Sequence, residues 1–158
     1  MIRGVFGVIA AAAMFGQLAA SSGPGSAGQA GSASKATLDF EFFRTQVQPI
    51  FLDKRPGYTR CVVCHSESNN FLRLEPMAHG AKTWTDEQSR KNFEAVSKLV
   101  NPGEPMVSRL LMHALAPEGG GDVFHSGGRQ FMSVNDPDWK TMADFVNGVK
   151  LGGRSKKN

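Results

Sequence analysis

The chain has 158 residues and a formal net charge of +4, a length that suits one modest domain. Four cations, Arg3, Arg154, Lys156 and Lys157, lie near its two ends, so the part able to fold is close to neutral and carries no nucleic-acid footprint. Only two cysteines are present, and a zinc centre built on several thiolates would lack its second cysteine pair.

Residues 1–20 have the layout of a secretory signal. Arg3 supplies the positive end, Val5 to Met14 the apolar run, and Ala19, Ala20 and Ser21 the small residues of a cleavage site. The run is short for a membrane span, so none is expected once the signal is cleaved. An uncleaved anchor is the alternative. No cysteine follows the run to accept a lipid. Residues 21–36, rich in Gly, Ser and Ala, read as a flexible linker. Residues 37–152 are expected to form the domain, and 153–158 a basic tail.

The apolar residues Phe40, Phe43, Val47, Ile50 and Phe51 recur at helical spacing and predict a first helix to Leu52. Pro49 inside it should kink or end it. Lys54-Arg55-Pro56-Gly57 reads as a turn, and Arg55 is expected to be exposed. Phe71 to Pro76 alternates apolar and polar residues and predicts an extended segment. Thr85 with Gln88 is a capping box that opens a helix to about Val100, burying Phe93, Val96, Leu99 and Val100. Asn101-Pro102-Gly103 stops it. A further helix is expected from about Pro105 to Ala114, with Val107, Leu110 and Leu111 inward. Residues 117–132 form a long, glycine-rich loop, and such loops are more often functional than idle. Asp136 caps a last helix with Pro137 at its first position. That helix reaches about Val149, with Trp139, Met142, Phe145 and Val146 on its inner face. The first and last helices both carry aromatics, which fits their packing together.

Both cysteines fall in Cys61-Val62-Val63-Cys64-His65. Two thiols separated by two residues and followed by histidine are the attachment pattern of a c-type haem. Each thiol adds to one haem vinyl group, so both must reach the same porphyrin edge, and a helical turn through Val62 and Val63 presents them together. His65 then falls where its imidazole can ligate the iron from the proximal side. Pairing of Arg55 or Arg60 with a haem propionate is the alternative to an exposed Arg55. A thioredoxin-like pair would sit beside a βαβ pattern, which is missing from the sequence. A Cys61–Cys64 disulfide would close a tight, strained loop. Haem attachment and export agree, since bacteria attach c-type haem outside the cytoplasmic membrane.

With the CVVCH motif stand Gln48-Pro49-Ile50-Phe51 before it, Phe71-Leu72-Arg73-Leu74 after it, Asn101-Pro102-Gly103-Glu104-Pro105 leading into Ser108-Arg109-Leu110-Leu111, and a final helix with Trp139 and Phe145. In these pieces the chain resembles class I cytochrome c domains, more narrowly the planctomycete-type ones, over roughly residues 40–150. The resemblance implies an all-α domain wrapped around one covalent haem c. Many such domains carry a Met-Pro-Pro segment before the last helix, whose methionine is the distal ligand. This chain has none, so the sixth ligand stays open.

A distal ligand must come from a loop able to fold over the haem, a short way before the last helix. His125 and Met132 satisfy both conditions. His125 precedes two glycines, which permit close backbone approach; as a surface loop histidine it would need no such role. Met132 lies nearer the helix, and its thioether would raise the reduction potential; as a gap-filling core residue it would need no such role. His113 is a third choice.

The expected function is a periplasmic or otherwise exported monohaem cytochrome that passes single electrons between redox partner proteins and is not an enzyme. The alternative is an open-site haem protein, a gas sensor or peroxidase-like, with His125 and Arg129 as polar distal groups. A tethering role through linker and tail is the third reading. No nucleophile elbow, zinc signature or phosphate loop supports a hydrolase. The sequence does not set the oligomeric state.

Overall fold

The computed structural model describes residues 36–67 and 69–152. The signal segment 1–20, the basic tail 153–158 and all of the linker 21–36 except Ala36 lie outside these. Every regular element among the described residues is helical, and no strand occurs; Leu115 and Phe131 form an isolated parallel bridge. No helix among these residues is long and apolar enough to cross a membrane.

The first helical stretch opens as α1 (Phe40–Phe42), widens into a π-helical turn (Phe43–Val47) and closes as α2 (Gln48–Leu52). Asp39 caps its start by accepting the Phe42 N–H at 2.7 Å. Pro49 neither ends nor breaks the stretch. The wide turn lies just ahead of it, with Gln48 N–H donating back to the Phe43 carbonyl. Proline has no N–H and its ring crowds the preceding turn; five-residue spacing gives that ring room.

After α3 (Cys61–Glu67) the chain runs extended but unpaired, burying Leu72 and Leu74 while Phe71 and Arg73 face outward. α4 (Asp86–Ser97) starts at the Thr85–Gln88 capping box, with both reciprocal bonds formed. The helix expected over 105–114 is divided. A 3₁₀ turn (Pro105–Val107) and α5 (Arg109–Met112) flank an extended Ser108. The break resets the helical register: Leu110 and Leu111 are buried, but Val107 is exposed. A second 3₁₀ turn follows (Pro117–Gly119), and α6 (Pro137–Val146) completes the order.

Three rings fasten these elements. Phe43 on the π turn, Phe93 on α4 and Phe145 on α6 lie with centroids 5.5, 5.7 and 6.1 Å apart. Such separations suit tilted and edge-to-face aromatic packing. Phe43 and Phe145 are fully buried, with Val47, Val96, Leu111 and Val146 around them. Trp139, Met142, Phe145 and Val146 all lie on the buried face of α6, and the helix packs on the π turn. Because Phe43 joins all three elements, Phe43→Ala is expected to cost about 3–5 kcal/mol in denaturant unfolding, the range for a large buried aromatic.

Asp136 caps α6 by accepting the N–H groups of Asp138 and Trp139. It also pairs with the Arg55 guanidinium at 3.0 and 3.1 Å. Burial alone would raise its carboxyl pKa, but the Arg55 hydrogen bond and those N–H groups outweigh it, so the pKa falls below 3.8. Its stabilising contribution is therefore complete above the unfolded value and lost as pH drops through the lower folded value. Asp136→Asn should flatten the acid limb of the stability curve, so that urea midpoints at about pH 6 and about pH 3 lie closer together than in the wild type.

Candidate functional site

α3 carries the CVVCH motif. Cys61 and Cys64 stand three residues apart, on neighbouring positions of one helix face, and both are free thiols lining one cavity. Val62 is buried and pins the helix to the core. Past the helix the chain doubles back. Leu74 N–H donates to the His65 carbonyl at 2.9 Å, and His65 Nδ1 lies 2.8 Å from the Leu72 carbonyl. Burial of Leu72 and Leu74 holds that carbonyl in place.

Across the cavity lies the loop 116–130. It is closed at its neck where Ala116 N–H donates to the Phe131 carbonyl (2.8 Å) and Phe131 N–H to the Ala114 carbonyl (3.2 Å). Gly121 is required here, since a Cβ would stand 2.0 Å from the Leu115 carbonyl oxygen. His125–Gly128 is a tight turn closed twice. Gly128 N–H donates to the His125 carbonyl at 2.9 Å, and His125 Nδ1 reaches the Gly128 carbonyl at 2.7 Å.

The cavity, of about 230 Å³, has His65, His113 and His125 in its lining, with apolar walls from Ile50, Phe51, Leu110 and Met142. The His65 and His125 rings lie 6.3 Å apart between centroids, with planes within 17°. His113 meets His125 edge to face at 5.0 Å, and its Nδ1 lies 2.7 Å from Asp122. A carbonyl oxygen has no proton to give, so His65 Nδ1 and His125 Nδ1 must both be donors. Each neutral ring then keeps its lone pair on Nε2, the arrangement of a metal-ligating imidazole with a backbone acceptor behind it. Burial, the largest cause, lowers the His65 pKa; the Leu72 bond opposes this and the charges of His125 and His113 add to it. The neutral form is thereby favoured.

No group of three or more His, Cys, Asp or Glu side chains able to hold a metal ion occurs among the described residues. His65 and His125 come together with both cysteines at one cavity, whereas Met132 is exposed and is not part of its lining. Arg129 pairs with Glu118 at 2.9 Å and also lies off the cavity. Arg60 and Arg109 line it, and the Arg109 guanidinium lies 5.3 Å from the Phe71 ring centre. Arg55, read from the sequence as an exposed turn residue, is largely covered, and both its terminal nitrogens are engaged with Asp136, Asp138 and the Gln130 carbonyl. Sequence reasoning also passed over Tyr58, Gln130 and Asp122. Their roles arise from partners far along the chain or across a loop, and no periodicity signals them.

Comparison with protein-family models, with curated proteins and with solved structures finds no match to this chain.

Burial pushes the Cys61 thiol up to about 11, with nearby Arg55 pulling weakly the other way. The thiolate is the reactive form. Alkylation of Cys61 at about pH 8 should therefore run on the order of a hundredfold slower than that of an unhindered cysteine. Peptide mapping after timed quenching reads the rate.

Proposed function

We propose that this chain is an exported, class I-like c-type cytochrome domain that passes single electrons between redox partner proteins. In this reading Cys61 and Cys64 would hold one haem through thioether bonds, and His65 and His125 would ligate its iron. The observation that carries the reading is the spacing and tautomer of the two imidazoles. A metal–imidazole bond is about 2.0 Å, so two imidazoles that would share one metal must lie close together with their Nε2 lone pairs unblocked. The observed separation is 6.3 Å. Both rings keep Nε2 free, and both thiols line the same cavity.

The bound haem would supply a ferric–ferrous couple that takes up and releases one electron. The residues supply the rest. The Leu72 and Gly128 carbonyls fix the rings of His65 and His125 and raise their basicity as ligands. Ile50, Phe51, Leu110 and Met142 give low-dielectric walls that keep water out. Arg60 and Arg109, at the cavity lining, would offer positive charge to the two haem carboxylates. An electron carrier needs no separate substrate pocket, and its partners meet it through a small, weak interface.

The test is the ultraviolet–visible spectrum of periplasmically expressed protein, oxidised and reduced, with a pyridine haemochrome. The expected result is one covalent haem, low-spin in the ferric state and without the long-wavelength sulfur band. That band would select Met132 instead. A high-spin spectrum that shifts with carbon monoxide or cyanide would select the open-site reading, and absence of covalent haem would overturn both. His125→Ala should turn the spectrum high-spin or methionine-ligated; an unchanged low-spin spectrum removes His125 from the iron.

A further inference from the structure

We propose that Arg55, Tyr58 and Gln130 form a clasp that positions the His125 turn over the cavity and sets how readily His125 leaves the iron. The proposal rests on the haem reading above. None of the three is assigned to the iron; each acts through the turn.

The geometry joins two segments about seventy residues apart in sequence. One is 55–60, which runs directly into Cys61. The other is 127–131, which begins two residues after His125. Four contacts link them. Gln130 is buried, and its Nε2 donates to the Thr59 carbonyl at 3.2 Å and to the Gly127 carbonyl at 2.8 Å. Arg55 Nη1 donates to the Gln130 carbonyl at 3.0 Å while its guanidinium lies 4.6 Å from the Phe131 ring centre. The Tyr58 ring fills the place of a side chain at Gly128, where a Cβ would come within 2.6 Å of Tyr58 Cδ1. Gly128 sits at φ +87°, a backbone state that glycine takes freely.

The two ends of the site are thus coupled through the protein as well as through any cofactor. The Gly127 carbonyl that Gln130 holds lies inside the turn whose Gly128 carbonyl orients the His125 ring. If the turn loosens, the acceptor of His125 Nδ1 moves and the ring loses its fixed direction. The bonds cross from α3's leading arm to the distal loop, so they resist His125 swinging away from the proximal side.

The test uses the full, haem-loaded chain and reads carbon monoxide capture by the ferrous form, which requires His125 to leave. Gln130→Met keeps the length of the side chain and removes both donors. Tyr58→Ala removes the ring, and Tyr58→Phe restores it. Arg55→Lys keeps the charge but loses the two-pronged contact. Gln130→Met and Tyr58→Ala should capture carbon monoxide about tenfold faster than the wild type, equivalent to about 1.4 kcal/mol. Tyr58→Phe should return near the wild-type rate, with Arg55→Lys between. Ser97→Ala, which removes an α4 hydrogen bond to the Phe93 carbonyl, controls for loss of stability and should leave the rate unchanged. Folded variants with covalent haem and the wild-type rate would overturn the clasp while leaving the haem reading intact, provided His125→Ala itself is fast. If the wild type lacks covalent haem, or captures as fast as His125→Ala, the haem or distal-ligand reading fails first and the clasp with it.

Discussion

A largely covered guanidinium must have its donors satisfied, because an uncompensated charge away from water costs several kcal/mol. Arg55 meets this condition at both terminal nitrogens with groups drawn from one short stretch of chain: the Gln130 carbonyl, both oxygens of Asp136, and Asp138. Its flat face rests on Phe131. Asp136 serves two demands at once, since the carboxylate that neutralises Arg55 also accepts the first N–H groups of α6. A local helix cap and a contact 81 residues long in sequence therefore share one side chain. The segment before the cysteines, the loop carrying His125 and the start of the last helix are fixed by the same need to satisfy one cation.

The hydrophobic core and the cavity are built from the same elements. α6 turns Phe145 and Val146 to the aromatic cluster and Met142 to the cavity. The first helical stretch does likewise, with Phe43 in the cluster and Ile50 and Phe51 at the cavity wall. Burial even decides proton placement. Leu72 and Leu74 hold the strand-like segment against α3, and the Leu72 carbonyl then dictates which nitrogen of His65 bears hydrogen. The His125 turn reaches the same outcome by another route, a glycine at positive φ that brings its own carbonyl back to the ring.

Features set by neighbours in sequence could be read before the fold was seen. The Thr85–Gln88 box, the Asp136–Pro137 start and the inner face of α6 stand where propensity and periodicity put them. The helical CVVCH turn with both thiols on one cavity was also readable, because three-residue spacing has one meaning on a helix. Context overrode local pattern at Val107, where one extended residue resets the register, and at Pro49, whose consequence is a widened turn instead of an end. Sequence position could not separate His125 from Met132, both of which precede α6 at loop distances. The separation comes from the doubly closed turn at Gly128, hinted at only by the paired glycines. Tyr58 and Gln130 gave no signal and Arg55 read as an exposed turn residue, since their partners are set by chain closure.

The π turn at 43–47 has a consequence for helical phase. Passing from four-residue to five-residue hydrogen bonding amounts to one extra residue in the helix, and each residue of an α-helix turns about 100°. Everything after Val47 is rotated by that amount relative to an unbroken helix begun at Phe40. This offset lets one short stretch serve two surfaces, with Phe42, Phe43 and Val47 against the core and Ile50 and Phe51 toward the cavity. Removing one residue between Phe43 and Val47 would leave composition and core nearly as they are, yet it would swing the cavity wall round to a different face. The width of that turn is thus a phase setting, and the loop leading into Cys61 inherits its direction from it.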